Sequence, residues 1–224
     1  YHVMHSGSTV ARRFAGAALL ALLAGAPAAI AQNTSPSMVR WPAVSKDSIC
    51  FVYANDLWIM PRAGGTARPL ASPPGQEQLP RFSPDGKSIA FVGNYEGNRD
   101  LYTMPIEGGV AVRVTHNPGA ETLAEWSADG SLLFMTSAYS GLGRQAQLWK
   151  VPASGGMPSQ LPVPYGGFAS VSPDGAWLAY TPHSVDTRTW KRYRGGMATD
   201  IWLFNLNDKS SRRITDWEGV DTLP

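Results

Sequence analysis

Four cations fall within seven positions at Arg188, Lys191, Arg192 and Arg194, with Trp190 and Tyr193 set among them. A guanidinium grips a carboxylate through two parallel hydrogen bonds, and a lysine ammonium adds a compact point charge. The chemistry on offer is capture of an acidic group, and Lys191, Arg192 and Arg194 are the candidate substrate-binding residues. A charge run also serves as a solvated hairpin, or as one side of salt bridges to a neighbouring domain; both readings stand at this level. Other chemistry is sparse. No G-x-S-x-G nucleophile motif occurs. Beyond the N-terminal segment the histidines are His116 and His183, 67 residues apart, and neither has an H-x-x-x-H partner or a neighbouring cysteine. His116 lies in the turn-like stretch Thr115-His116-Asn117-Pro118-Gly119, where a solvated loop histidine is expected. Cys50, the single cysteine, sits in the apolar run Ile49–Val52 with no His or Arg beside it to lower its pKa. The expectation is no catalytic residue, no metal ligand and no cofactor site in this stretch.

The elements that must position the basic segment repeat along the chain. LPRFSPDGKSIAFVGN begins at Leu79, LAEWSADGSLLFMTS at Leu123 and FASVSPDGAWLAYTP at Phe168, with a degenerate copy, RWPAVSKDSICFVYA, at Arg40. A second phrase follows each: Asp56-Leu57-Trp58, Asp100-Leu101-Tyr102, Gln147-Leu148-Trp149 and Asp200-Ile201-Trp202. Gly64-Gly65, Gly108-Gly109 and Gly155-Gly156 close the first three units. Asp85, Asp129 and Asp174 recur at spacings of 44 and 45 residues. In the second unit strands are expected near 80–83, 88–92, 100–104 and 110–114, joined by tight turns at Pro84-Asp85-Gly86 and Gly108-Gly109. Four short strands per unit at this period make blades of a propeller.

The fold class is therefore all-β: a β-propeller of four-stranded blades, about four of them present, near 40–75, 76–119, 120–165 and 166–217. A fifth is expected to start at 218, since Asp221-Thr222-Leu223-Pro224 parallels Glu77-Gln78-Leu79-Pro80. Four blades seldom close a ring, so an incomplete ring and a longer polypeptide are expected. The S-P-D-G phrase reads as turn chemistry, because the alternating oxygen ligands of a calcium loop are missing. The aromatic column Trp58, Tyr102, Trp149 and Trp202 reads as filling between sheets. The basic segment interrupts the fourth unit: 20 positions separate Tyr180 from Asp200, against 9 from Phe91 to Asp100. Loops that outgrow their blade are where binding residues concentrate.

Residues 1–31 read as a signal peptide region starting at Met4. Arg12-Arg13 precede the apolar stretch Phe14–Ala24, and Ala29-Ile30-Ala31 offers a small-x-small cleavage site. Without that leader and its two arginines the chain carries 17 basic and 17 acidic residues. Its balance is neutral, which argues against nucleic acid as a partner.

S-P-D-G, then D-L-W/Y, then Gly-Gly and a hydrophobic-Thr ending at Val114-Thr115 and Ile214-Thr215 resembles the WD40-like, TolB-type propeller repeat. The stretch Thr189-Trp190-Lys191-Arg192-Tyr193-Arg194-Gly195-Gly196 running on to Asp200-Ile201-Trp202, with Asp56-Leu57-Trp58, resembles the N-terminal propeller of tricorn-type serine peptidases. That resemblance implies a non-catalytic portion of an exported peptidase, periplasmic or secreted, whose catalytic positions lie beyond Pro224. It also implies that the basic residues anchor a peptide's C-terminal carboxylate. Implied partners are peptides or unfolded polypeptide acting through the full-length enzyme, downstream domains of the same chain and a homo-oligomer, with no nucleic acid and, after leader cleavage, no membrane. The alternatives are a TolB-like periplasmic protein-binding propeller without enzymatic activity, or a propeller preceding an α/β-hydrolase.

Overall fold

The structure, a computed structural model, describes residues 38–71, 73–143, 145–183 and 193–224. Among the described residues sixteen strands form four separate antiparallel sheets, each a meander in chain order. The first holds β1 (Val39–Val44), β2 (Ser48–Tyr53), β3 (Asp56–Pro61) and β4 (Arg68–Ala71); the second β5 (Glu77–Phe82), β6 (Ser88–Gly93), β7 (Asp100–Pro105) and β8 (Val112–Arg113). The third holds β9 (Glu121–Trp126), β10 (Ser131–Thr136), β11 (Gln147–Pro152) and β12 (Ser159–Gln160); the fourth β13 (Ala169–Val171), β14 (Trp177–Tyr180), β15 (Trp202–Asn205) and β16 (Ser211–Arg213). Among the described residues there is no α-helix. First strands lie against one another, β1 on β5, β5 on β9 and β9 on β13, so they form the inner wall; no comparable contact joins β13 to β1. The four sheets are blades of an incomplete propeller.

Local chemistry explains each turn. In the second blade the Ser83 hydroxyl donates to Asp85 Oδ1 (2.6 Å), the Lys87 N–H donates to the same oxygen (3.1 Å), and the Gly86 N–H closes on Ser83 O (2.8 Å). These bonds hold the Asp85 carboxyl below its ordinary range, and the fourth blade repeats them around Ser172 and Asp174. Gly86, Gly130 and Gly175 occupy φ of +71°, +82° and +71°, a region costly for any residue with a Cβ. The degenerate first copy lacks that glycine and turns more tightly, with Ser45 N–H donating directly to Ser48 O (2.8 Å).

The alternation within strands directs one face of each sheet to the preceding blade and the other to the following blade. Ile89 and Phe91 of β6 meet Cys50, Val52 and Leu57 of the first blade, while Ala90, Val92 and Leu101 meet Leu123, Leu132 and Phe134 of the third. Leu133, Met135 and Leu148 then meet Leu178, Tyr180 and Phe204. Three of the four column aromatics pack here, Tyr102 facing Phe91, Trp149 facing Phe134 and Trp202 facing Tyr180 across the ladders, whereas Trp58 faces Phe51 on the outer face of the first blade rather than between sheets. Phe91 and Tyr102 stack with centroids 5.8 Å apart.

Two expectations need correction. The outer strand expected over 110–114 is only Val112–Arg113, because Gly108 and Gly109, at φ of +105° and +126°, swing the chain off the ladder and leave Val110 exposed. The first strand, expected over 80–83, starts earlier, at Glu77, since a bulge between Gln78 and Arg81 lets the pairing with β6 continue past Pro80.

The end faces are unlike the internal ones. Phe91, Phe134 and Tyr180 are buried, yet Phe51, at the same repeat position in the first blade, is half-buried. Leu57, Leu101 and Leu148 are buried, and Ile201 at the matching place in the fourth blade is half-buried. Replacing Phe91 by Ala is expected to cost this chain about 3–5 kcal/mol in urea denaturation. The same change at Phe51 should cost about 1–2 kcal/mol, because its ring already meets solvent. Equal losses would contradict the assignment of Phe51 to a free face.

Candidate functional site

The basic segment leaves the fourth blade between β14 and β15. Lys191 and Arg192, with Arg188 and Trp190, lie outside the described residues. Arg194 is described, and its Nη1 stands 2.9 Å from Glu218 Oε2, both side chains largely exposed. An exposed pair of this kind contributes about 0–1 kcal/mol and exchanges readily with another carboxylate. Tyr193 folds back, its hydroxyl oxygen accepting from the Met197 N–H (3.4 Å). Of the three residues expected from the sequence, the structure thus places one, on the surface and beside an acid.

The inner wall carries charges that the sequence reading passed over. Arg81 Nε donates to Ala124 O of the next blade (2.7 Å), and its Nη1 donates to Pro80 O (2.9 Å). Burial lowers the Arg81 pKa from its ordinary value, with Glu125 opposing that shift. Forty-four positions on, at the matching place in the third blade, Glu125 Oε2 accepts from the Val171 N–H of the fourth (2.6 Å). Desolvation raises the Glu125 pKa, and the bond from Val171 works against it. Both side chains are cross-ties between blades. They flank a cavity of about 350 Å³ whose wall also includes Phe168, Ser170 and Leu223.

Groups that could do covalent chemistry are poorly placed for it. Cys50 is fully buried, and desolvation pushes its thiol up to about 12. His116 is exposed, and His183 Nδ1 lies 3.4 Å from Gln145 Oε1. Among the described residues no three His, Cys, Asp or Glu side chains gather as a metal site, and no helix is long and apolar enough to cross a membrane.

Residues 36–224 match the family model of the tricorn protease N-terminal β-propeller domain. The chain belongs to that family. Tricorn protease homolog 1 of Streptomyces coelicolor is 29% identical over 193 residues, which cover 86% of this chain and 18% of the relative. The crystal structure of the tricorn protease superposes with a TM-score of 0.71 at 26% identity, over 82% of this chain and 19% of that one. TolB from Acinetobacter baumannii superposes at 0.64 with 20% identity, over 79% of this chain and 43% of its own, a likeness of fold alone. The chain therefore spans about a fifth of the tricorn relatives it matches.

Within this tricorn propeller the tie residues were detectable in principle. Arg81 and Glu125, like Glu77 and Glu121, stand 44 residues apart, charged positions that recur at matching places in the first strands. A thiol reagent applied to the native chain at about pH 8 is expected to leave Cys50 unlabelled until denaturant is added. Stoichiometric labelling of folded protein would contradict its burial.

Proposed function

We propose that this tricorn-family propeller is the non-catalytic N-terminal part of an exported tricorn-like serine peptidase, shaping peptide access to an active site further along the polypeptide. The family match over residues 36–224 carries the reading. Support comes from residues 221–224, which repeat the backbone pattern with which the second and third blades begin. Asp221 N–H donates to Thr199 O (2.8 Å) as Glu77 N–H donates to Asn55 O (2.9 Å) and Glu121 N–H to Arg99 O (3.0 Å). Leu223, before Pro224, takes φ of +60°, as Leu79 before Pro80 takes +51°. The propeller continues into a fifth blade that covers Ile201 and Leu203.

In this proposal Lys191, Arg192 and Arg194 anchor the C-terminal carboxylate of the peptide. Arg194 already holds one carboxylate, that of Glu218, in an exposed pair that a peptide terminus can replace. Export follows from the leader, with residence in the periplasm or outside the cell.

Replacing Lys191 and Arg192 together by Ala in the full-length enzyme is expected to raise KM about tenfold for peptides with a free C-terminus and leave their amidated counterparts unchanged, with kcat preserved. An unchanged KM for both substrates would remove the anchoring role. No peptide hydrolysis by the full-length protein would remove the peptidase reading and leave a binding propeller.

A further inference from the structure

Two glutamates at one repeat position reach backwards across a blade seam. Glu77 and Glu121 each open the first strand of a blade, and both are fully buried, at 0% and 1% exposure. Glu77 Oε2 accepts from the Leu57 N–H of the preceding blade (3.1 Å), and its Oε1 accepts from the Tyr95 hydroxyl (2.9 Å). Glu121 Oε2 accepts from the Thr115 hydroxyl, whose oxygen in turn accepts from the Leu101 N–H (2.9 Å). Glu121 Oε1 is buried with no hydrogen-bond partner, a costly position for an ionised oxygen.

We infer that these two seams are proton-operated: Glu77 and Glu121 close them as neutral acids and loosen them when they ionise. The charged surroundings are acidic at Glu77 and mixed at Glu121. Glu77 is faced by Asp56 from the head of β3 and by Tyr95 from the loop after β6, neither a cation. Glu121 is faced by Asp100, which favours the neutral form, and by Arg113, which opposes it while pairing with Asp100 at 2.8 Å; His116 also acts on Asp100. Desolvation is the largest influence on both glutamates and raises each to about 7, the bonds from Tyr95 and Thr115 opposing it. An acid raised in this way keeps its proton in the folded chain after the unfolded chain has lost it. Seam stability is therefore highest at and below the ordinary glutamate range, falls as pH rises to about 7, and levels off above that.

The third seam supplies an internal control. Gly166 stands where the glutamate would, and a Cβ there would come within 2.6 Å of Leu148 Cδ1, so that seam is closed by apolar contact. Hydrogen exchange of the full-length protein, corrected for the pH dependence of chemical exchange, would test the inference in segments covering Leu57, Leu101 and Leu148. Protection at Leu57 and Leu101 is expected to fall about tenfold between about pH 5 and about pH 8, with Leu148 unchanged. Glu77→Gln should abolish the fall at Leu57 and leave that at Leu101; Glu121→Gln should do the converse. Because the two residues serve different seams, either variant alone suffices if the other fails to fold. Equal protection at both pH values, a fall shared by Leu148, or a fall that survives its own Gln substitution would overturn the inference. None of these readouts depends on peptidase activity.

Discussion

A four-stranded blade has two apolar faces and no means of covering either by itself. Every structural feature of this chain follows from stacking one such face on the next. The period-2 alternation of β6 sends Ile89 and Phe91 one way and Ala90 and Val92 the other, so a one-residue slip in register would exchange the two cores. The turns hold that register: Asp85 and Gly86 between β5 and β6, and beside them at the same end of the blade Gly108 and Gly109 between β7 and β8. Because the main blade-to-blade contacts among the described residues run between neighbours, the architecture behaves as a one-dimensional stack, with Phe51 and Ile201 half-buried on its outer faces.

Stacking apolar faces creates a polar difficulty at the strand heads. The main chain of one blade must pass into the next beneath a layer of side chains, and its N–H groups there need acceptors. The chain answers with a glutamate at the first two internal seams and a glycine at the third. Thr115 and Thr215 extend the same device, taking the Leu101 and Ile201 N–H groups respectively. The hydrophobic-Thr ending thus satisfies a main-chain group of its own blade, and at Thr115 it also links to the next blade through Glu121. On the inner wall Arg81 and Glu125 do comparable work, each satisfying a main-chain group of the following blade.

This division separates scaffold from function. The charges buried between blades are consumed by the fold, whereas the only concentrated charge outside the repeat lies in the segment that departs from it, where Arg194 is exposed.

Much of the fold was legible in the residues. The 44- and 45-residue spacing, the Asp-Gly turns and the aromatic column reflect local geometry repeated in each copy, and repetition makes a weak local signal strong. The outer strand was overestimated because Val110–Val114 has strand composition, while pairing there depends on where the preceding glycines carry the chain. The basic segment was visible as a charge run, yet the pairing of Arg194 with Glu218 joins residues 24 positions apart and no spacing rule announces it. Sequence by itself determined the blade, since turn and strand preferences act over a few residues. Only the tertiary structure decided what lies at each seam, because burial of Glu77 and Glu121, and the half-exposure of Phe51 and Ile201, depend on which face meets a neighbour.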